Sequence, residues 1–123
     1  ARRLQVAHDQ IEDLSISAQL SNIRATYPRP RKQWNDYNEL KKDLETSLHD
    51  WLSQLETYQL SNRENVFCTY MLLYPNASLE DLADWMHYSA TGVSTFKRRI
   101  AQKIGIPTRE LYQFLYEMLQ SEK

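Results

Sequence analysis

Two glycines and four prolines in 123 residues are too few for the many tight turns of a β-sandwich, a barrel or a Rossmann-type fold. The single cysteine, Cys68, cannot close an internal disulfide, which points to a reducing, cytoplasmic setting. It falls in an apolar run, where a thiol serves as a packing residue and not as a nucleophile. No apolar stretch approaches the ~20 residues that span a bilayer, and nothing resembles a signal peptide, so no membrane contact is expected. His8, His49 and His87 stand apart with no partner at ligand spacing, which leaves no metal site. A Gly-rich phosphate loop is lacking, and the carboxylates fall on solvated faces without an acid–base pair. Neither a cofactor nor an enzyme activity is therefore expected.

What remains is a chain of 14.6 kDa that is 41% apolar and 25% charged, with mean hydropathy −0.68, as in a soluble all-α domain. It opens on Ala1 without a methionine, so it is expected to be a segment of a longer protein. The net charge of −1 hides an uneven distribution. Residues 1–32 hold six basic groups against three acids, and residues 33–61 hold two lysines against six acids. Residues 89–106 carry Lys97, Arg98, Arg99 and Lys103 with no acid. For an anionic partner, that local field matters more than the total.

Leu4, Ala7, Ile11, Leu14 and Ala18 repeat at alternating steps of three and four, the seam of a short coiled coil or of an amphipathic helix folded onto its own domain. Tyr27-Pro28-Arg29-Pro30-Arg31 breaks any helix, which places a linker at about 25–33. Trp34, Tyr37, Leu40, Leu44, Leu48, Trp51 and Leu55 then form one stripe, predicting a long bracing helix over 34–57. Ser61 and Glu64 make a capping box for a helix that is apolar nearly all round from Val66 to Tyr74. Ser78 caps a short helix whose inward face is Leu79, Leu82, Ala83 and Met86. Another helix starts around Ser89–Thr91 and runs to Ile104, stopped by Gly105. Pro107 is expected to open the last helix. The division that follows is 1–33 as helical linker, 34–59 as bracing helix and 60–123 as the functional unit.

Two short helices joined by a tight turn, the second of them basic, have the layout of a helix-turn-helix. At ~100° per residue, Val93, Phe96, Ile100 and Ile104 gather on one side of the second helix. Thr91, Ser94, Thr95, Arg98, Arg99 and Gln102 fall on the other. Arg98 can fork onto a guanine edge, and Ser94 or Thr95 can bond a base or touch a thymine methyl. Lys97, Arg99 and Lys103 are placed for phosphates, which set register.

Ala77-Ser78-Leu79-Glu80-Asp81-Leu82-Ala83, Ser89, Gly92-Val93, Arg98-Arg99-Ile100 and Lys103-Ile104-Gly105-Ile106 together resemble the LuxR-type (GerE-like) DNA-binding domain. Leu60-Ser61-Asn62-Arg63-Glu64 is similar to that family's opening motif. Trp34, Tyr37, Leu48, Trp51 and Cys68 add a weaker similarity to C-terminal output regions of Bacteroidetes transcription regulators. The resemblance implies a four-helix DNA-binding bundle behind an N-terminal helical extension. It also implies base contacts from Ser94, Thr95 and Arg98, and backbone contacts from Thr91, Arg99 and Lys103. Further implications are a homodimer formed through 107–120, a sensor domain elsewhere in the full chain, and RNA polymerase as a partner. Three positions depart from the pattern. Tyr74-Pro75-Asn76 lengthens a loop, Gly92 stands where a Thr is common, and Lys97 occupies an ordinarily apolar position. With Phe96 taking the core role, either Lys97 snorkels toward a phosphate or the helix is rotated in its socket.

A rival of another class is a helical protein-interaction module that keeps the scaffold without binding DNA. The overall acidity, Gly92 and Lys97 favour it. A third reading, the promoter-reading region of a sigma factor, shares the DNA chemistry and requires polymerase.

Overall fold

The computed structural model describes residues 18–120, all helix and loop with no strand among them. Helix α1 (18–26) is the described end of the N-terminal helical extension; most of the seam expected over 3–20 lies outside the described residues. Tyr27 closes α1 by donating its amide to the Ile23 carbonyl at 2.8 Å. The proline segment does break the helix, but it does not break the core. Leu20 and Ile23 are buried in the same cluster as Leu72 and Trp34, so residues 18–33 pack as part of the body and not as a free linker. Arg24 reinforces this by donating to the carbonyls of Leu72 and Leu73, a cation on the unsatisfied end of a helix.

The expected rod over 34–57 is replaced by three pieces. Trp34 lies outside the helix, in a 3-10 turn, Lys32–Asn35, and is fully buried. Its indole N–H donates to Asp43 Oδ2 at 2.7 Å, and the same oxygen receives Arg31 at 2.7 Å. Helix α2 (Tyr37–Glu56) starts on Asp36, whose side chain accepts from the Asn38 amide, and it breaks at Leu48 (φ −127°, ψ 27°). Beyond Leu48 the chain bends back. The Glu56 carboxylate meets the Tyr37 hydroxyl at 2.9 Å and Lys41 at 3.0 Å. On a straight helix, positions 41 and 56 would lie about 22 Å apart along the axis. At the bend the Gln19 side-chain amide takes the Ser47 carbonyl, a side chain entering the backbone ladder. Both arms turn their stripes inward, so Tyr37, Leu40, Leu44, Leu48, Trp51, Leu52 and Leu55 are all buried.

Helix α3 (Asn62–Leu73) is the central element, buried from Glu64 to Leu73. Burial pushes the Cys68 thiol well up, which fits a packing role. Short helix α4 (Leu79–Met86) carries a reciprocal Ser78–Asp81 capping box. Helix α5 (Ala90–Ile104) is capped by the Ser89 hydroxyl on the Gly92 amide and ended by Gly105 at φ 93°. Leu79 is 42% exposed against its expected inward role, because it occupies the first position of α4, ahead of the packed Ala83 and Met86. Pro107 does not open a helix directly; its ψ of 145° is extended. A 3-10 turn, Thr108–Glu110, intervenes before α6 (Leu111–Gln120), which buries Leu111, Leu115, Met118 and Leu119.

His87 ends α4 at φ 60°, ψ 41°, a left-handed conformation that strains a side chain. His87→Gly is expected to stabilise the fold by about 0.5–1 kcal/mol, read as a raised Tm in a melt followed by circular dichroism. An unchanged or lowered Tm would mean that the imidazole's contacts outweigh the strain.

Candidate nucleic-acid interface

The corner between α4 and α5 is pinned from two sides. From α3, Arg63 Nε donates to the Tyr88 hydroxyl at 2.8 Å and Nη2 donates to the Met86 carbonyl. Its guanidinium also sits 4.9 Å from the Tyr88 ring centroid, a cation–π contact. From the 3-10 turn, Asn35 Nδ2 lies 3.4 Å from His87 Nε2. These contacts fix the start of α5, and its apolar side fixes the rotation. Val93, Phe96, Ile100 and Ala101 are buried. Phe96 meets Phe67 and Tyr88 edge-on at 5.6 Å and 5.3 Å, so it takes the core role expected of it.

With that side committed, Thr91, Ser94, Thr95, Arg98, Arg99 and Gln102 are all exposed, and Lys97 is half-buried at the core edge. Lys97, Arg98 and Arg99 make no hydrogen bond or ion pair with any described residue. Their charges therefore face solvent without an internal counter-ion. A shallow cleft of about 450 Å³ runs beside the corner, floored by Tyr88 and Phe96 and edged by Thr91, Thr95 and Arg99.

Lys103 stands differently from the rest of the predicted phosphate set. Its ammonium is 2.6 Å from Glu64 Oε1, and the Glu64 side chain is only 2% exposed. The same carboxylate oxygen accepts the Ser61 amide at 2.8 Å. Burial pushes the Glu64 carboxyl up, but Lys103 and Ser61 outweigh it and hold it below the ordinary glutamate range. Lys103 is therefore first the counter-ion of a buried cap, a partnership across 39 positions that no local pattern reveals.

Comparison with family models, with curated proteins and with solved structures gives no match. Among the described residues no cluster of three or more His, Cys, Asp or Glu could hold a metal ion, and no helix is long and apolar enough to cross a membrane. Sequence reasoning missed the two residues that lock the corner, Arg63 and Asn35. The only local hint for either was Arg63 inside the capping motif.

Proposed function

We propose that this chain binds duplex DNA by seating α5 in the major groove, as the output module of a transcription regulator. The observation that carries the reading is the outer face of α5. Hydroxyl, amide and guanidinium groups stand exposed together there, with no acid in the helix and no partner among the described residues for Lys97, Arg98 or Arg99. On this reading Arg98 contacts a guanine edge, while Ser94 and Thr95 meet neighbouring bases. Thr91, Lys97 and Arg99 hold phosphates; Lys103 reaches one only with the protons that Glu64 leaves free. The LuxR-type resemblance adds a cytoplasmic homodimer on a symmetric site, a sensor elsewhere in the full chain, and polymerase as a downstream partner.

A gel-shift titration on a random duplex tests this directly. Retardation at low salt, released toward physiological salt, is the expected result, and a chain that never retards duplex overturns the reading. Arg98→Ala is expected to cost about 1–3 kcal/mol of binding and to relax preference at one base pair. Selection of bound duplexes from a random pool measures both. An equal loss on every sequence would make Arg98 a phosphate contact instead.

One observation favours the protein-interaction alternative. Helix α4 exposes Glu80, Asp81 and Asp84 beside the uncovered Leu79, and no Lys or Arg occurs between Arg63 and Lys97. An acidic, partly apolar helix suits a basic protein partner better than a phosphate backbone. Co-purification of a protein without any duplex retardation would select that alternative.

A further inference from the structure

The strongest unassigned charge lies outside α5, in the segment that precedes α2. From Leu14 to Asn35 the chain holds Arg24, Arg29, Arg31 and Lys32 and no acid. Two of these cations are committed, Arg24 to the carbonyls that end α3 and Arg31 to Asp43. The other two, Arg29 and Lys32, are exposed and bond no described residue.

Their placement is fixed by the packing around them. The Tyr27 ring lies 4.9 Å from that of Trp34, tilted by 58°, and the Tyr27 carbonyl accepts the Tyr74 hydroxyl at 2.6 Å. Pro28 shares a cleft of about 480 Å³ with Tyr74 and Trp85 of α4. At its far end the segment puts Asn35 against His87, the corner residue between α4 and α5. The strap therefore lies over α3, where Trp34 meets Tyr70 at 6.5 Å, and reaches the corner through Asn35. In a 3-10 helix, side chains at positions i and i+3 eclipse. Lys32 thus shares the face of Asn35, which is the face turned to the corner from which α5 starts.

We infer that this strap is a second phosphate-binding element, with Lys32 and then Arg29 holding the DNA backbone that flanks the groove occupied by α5. The inference rests on the DNA-binding reading and deepens it. The contact surface would be contributed by two parts of the chain far apart in sequence. A cation beside the corner adds affinity and orientation without sequence preference, because a phosphate is the same at every step.

The test measures anisotropy of a labelled random-sequence duplex against salt, for the whole chain and for Lys32→Ala, R29A/K32A and Lys42→Ala. The slope of log affinity against log salt should become shallower by about 0.9 for Lys32→Ala and about 1.8 for the double variant. The loss should be equal on all sequences. Lys42→Ala, an exposed lysine on α2, should leave the slope unchanged. Helical circular dichroism should be retained, since neither strap cation bonds a described residue. Unchanged slopes in the strap variants, with Arg99→Ala still flattening the slope, would overturn the strap and leave the α5 reading standing. A loss confined to one sequence would also overturn it, by making the contact a base contact. Failure of the unaltered chain to bind any duplex at low salt would end both.

Discussion

Truncating Trp51 to alanine is expected to destabilise the fold by about 3–5 kcal/mol, the largest effect of any single side chain discussed. Trp51 is fully buried on the second arm of α2, and its indole N–H donates to the Leu115 carbonyl of α6 at 2.9 Å. The truncation removes a fully buried aromatic side chain from a close-packed core, which closes only partly over the gap it leaves. The same step cuts the hydrogen bond that ties the last helix to the brace. Trp51→Phe separates the two effects. It keeps most of the ring and loses the donor, so about 1 kcal/mol of the total should fall to the hydrogen bond. Urea titrations followed by circular dichroism give both numbers. A Trp51→Ala midpoint close to that of the unaltered chain would show that α6 is not held by this contact.

This pair also shows where sequence reasoning reached and where it stopped. The apolar stripe from Trp34 to Leu55 correctly marks the buried side chains, because burial follows periodicity. Periodicity, however, is blind to the path of the axis. Each arm of α2 satisfies the spacing alone, and the bend at Leu48 falls where only Thr46 and Ser47, two weak helix formers, offer a hint. At the bend the Ser47 carbonyl is taken by Gln19, far away in sequence. Trp34 leaves the helix for a similar reason, since its indole finds a carboxylate at Asp43. Caps are local, and they were legible. The Ser61 and Ser78 hydroxyls, Glu64 at the third helical position and Gly105 all stand where their spacing put them. The exposed face of α5 was legible too, because a regular helix converts residue number into angle. What escaped was everything that crosses between elements. Arg63 on Tyr88, Asn35 on His87 and Lys103 on Glu64 all join residues more than twenty positions apart.

Lys103→Ala is expected to cost about 3 kcal/mol at neutral pH, far more than removal of a surface ion pair, whose worth is roughly 0–1 kcal/mol. The asymmetry lies in the environments of the two partners. The Lys103 side chain is 41% exposed and the Glu64 side chain 2%, so removing the lysine strands a buried carboxylate, whereas removing the glutamate frees a cation that water can reach. The pH dependence follows from the sign of the Glu64 shift. Its carboxyl is held below its unfolded value of about 4.3. The pair's stabilisation is therefore complete above that pH and is lost as pH falls through the folded value. Without Lys103 the burial that pushes the carboxyl up loses its main opponent, so protonation no longer works against the folded state in the same measure. The stability gap between the unaltered chain and Lys103→Ala should accordingly narrow in acid. Asp43 and Glu56 are also held below their ordinary range, but they are common to both chains and cancel in the difference. In a Glu64→Gln background, Lys103→Ala should cost under about 1 kcal/mol, because no buried charge remains to be stranded. A gap that keeps its size from neutral pH into acid would show that Lys103 acts through the packing of its alkyl stem and not through its charge. Its ammonium would then be as free for a phosphate as that of Lys97.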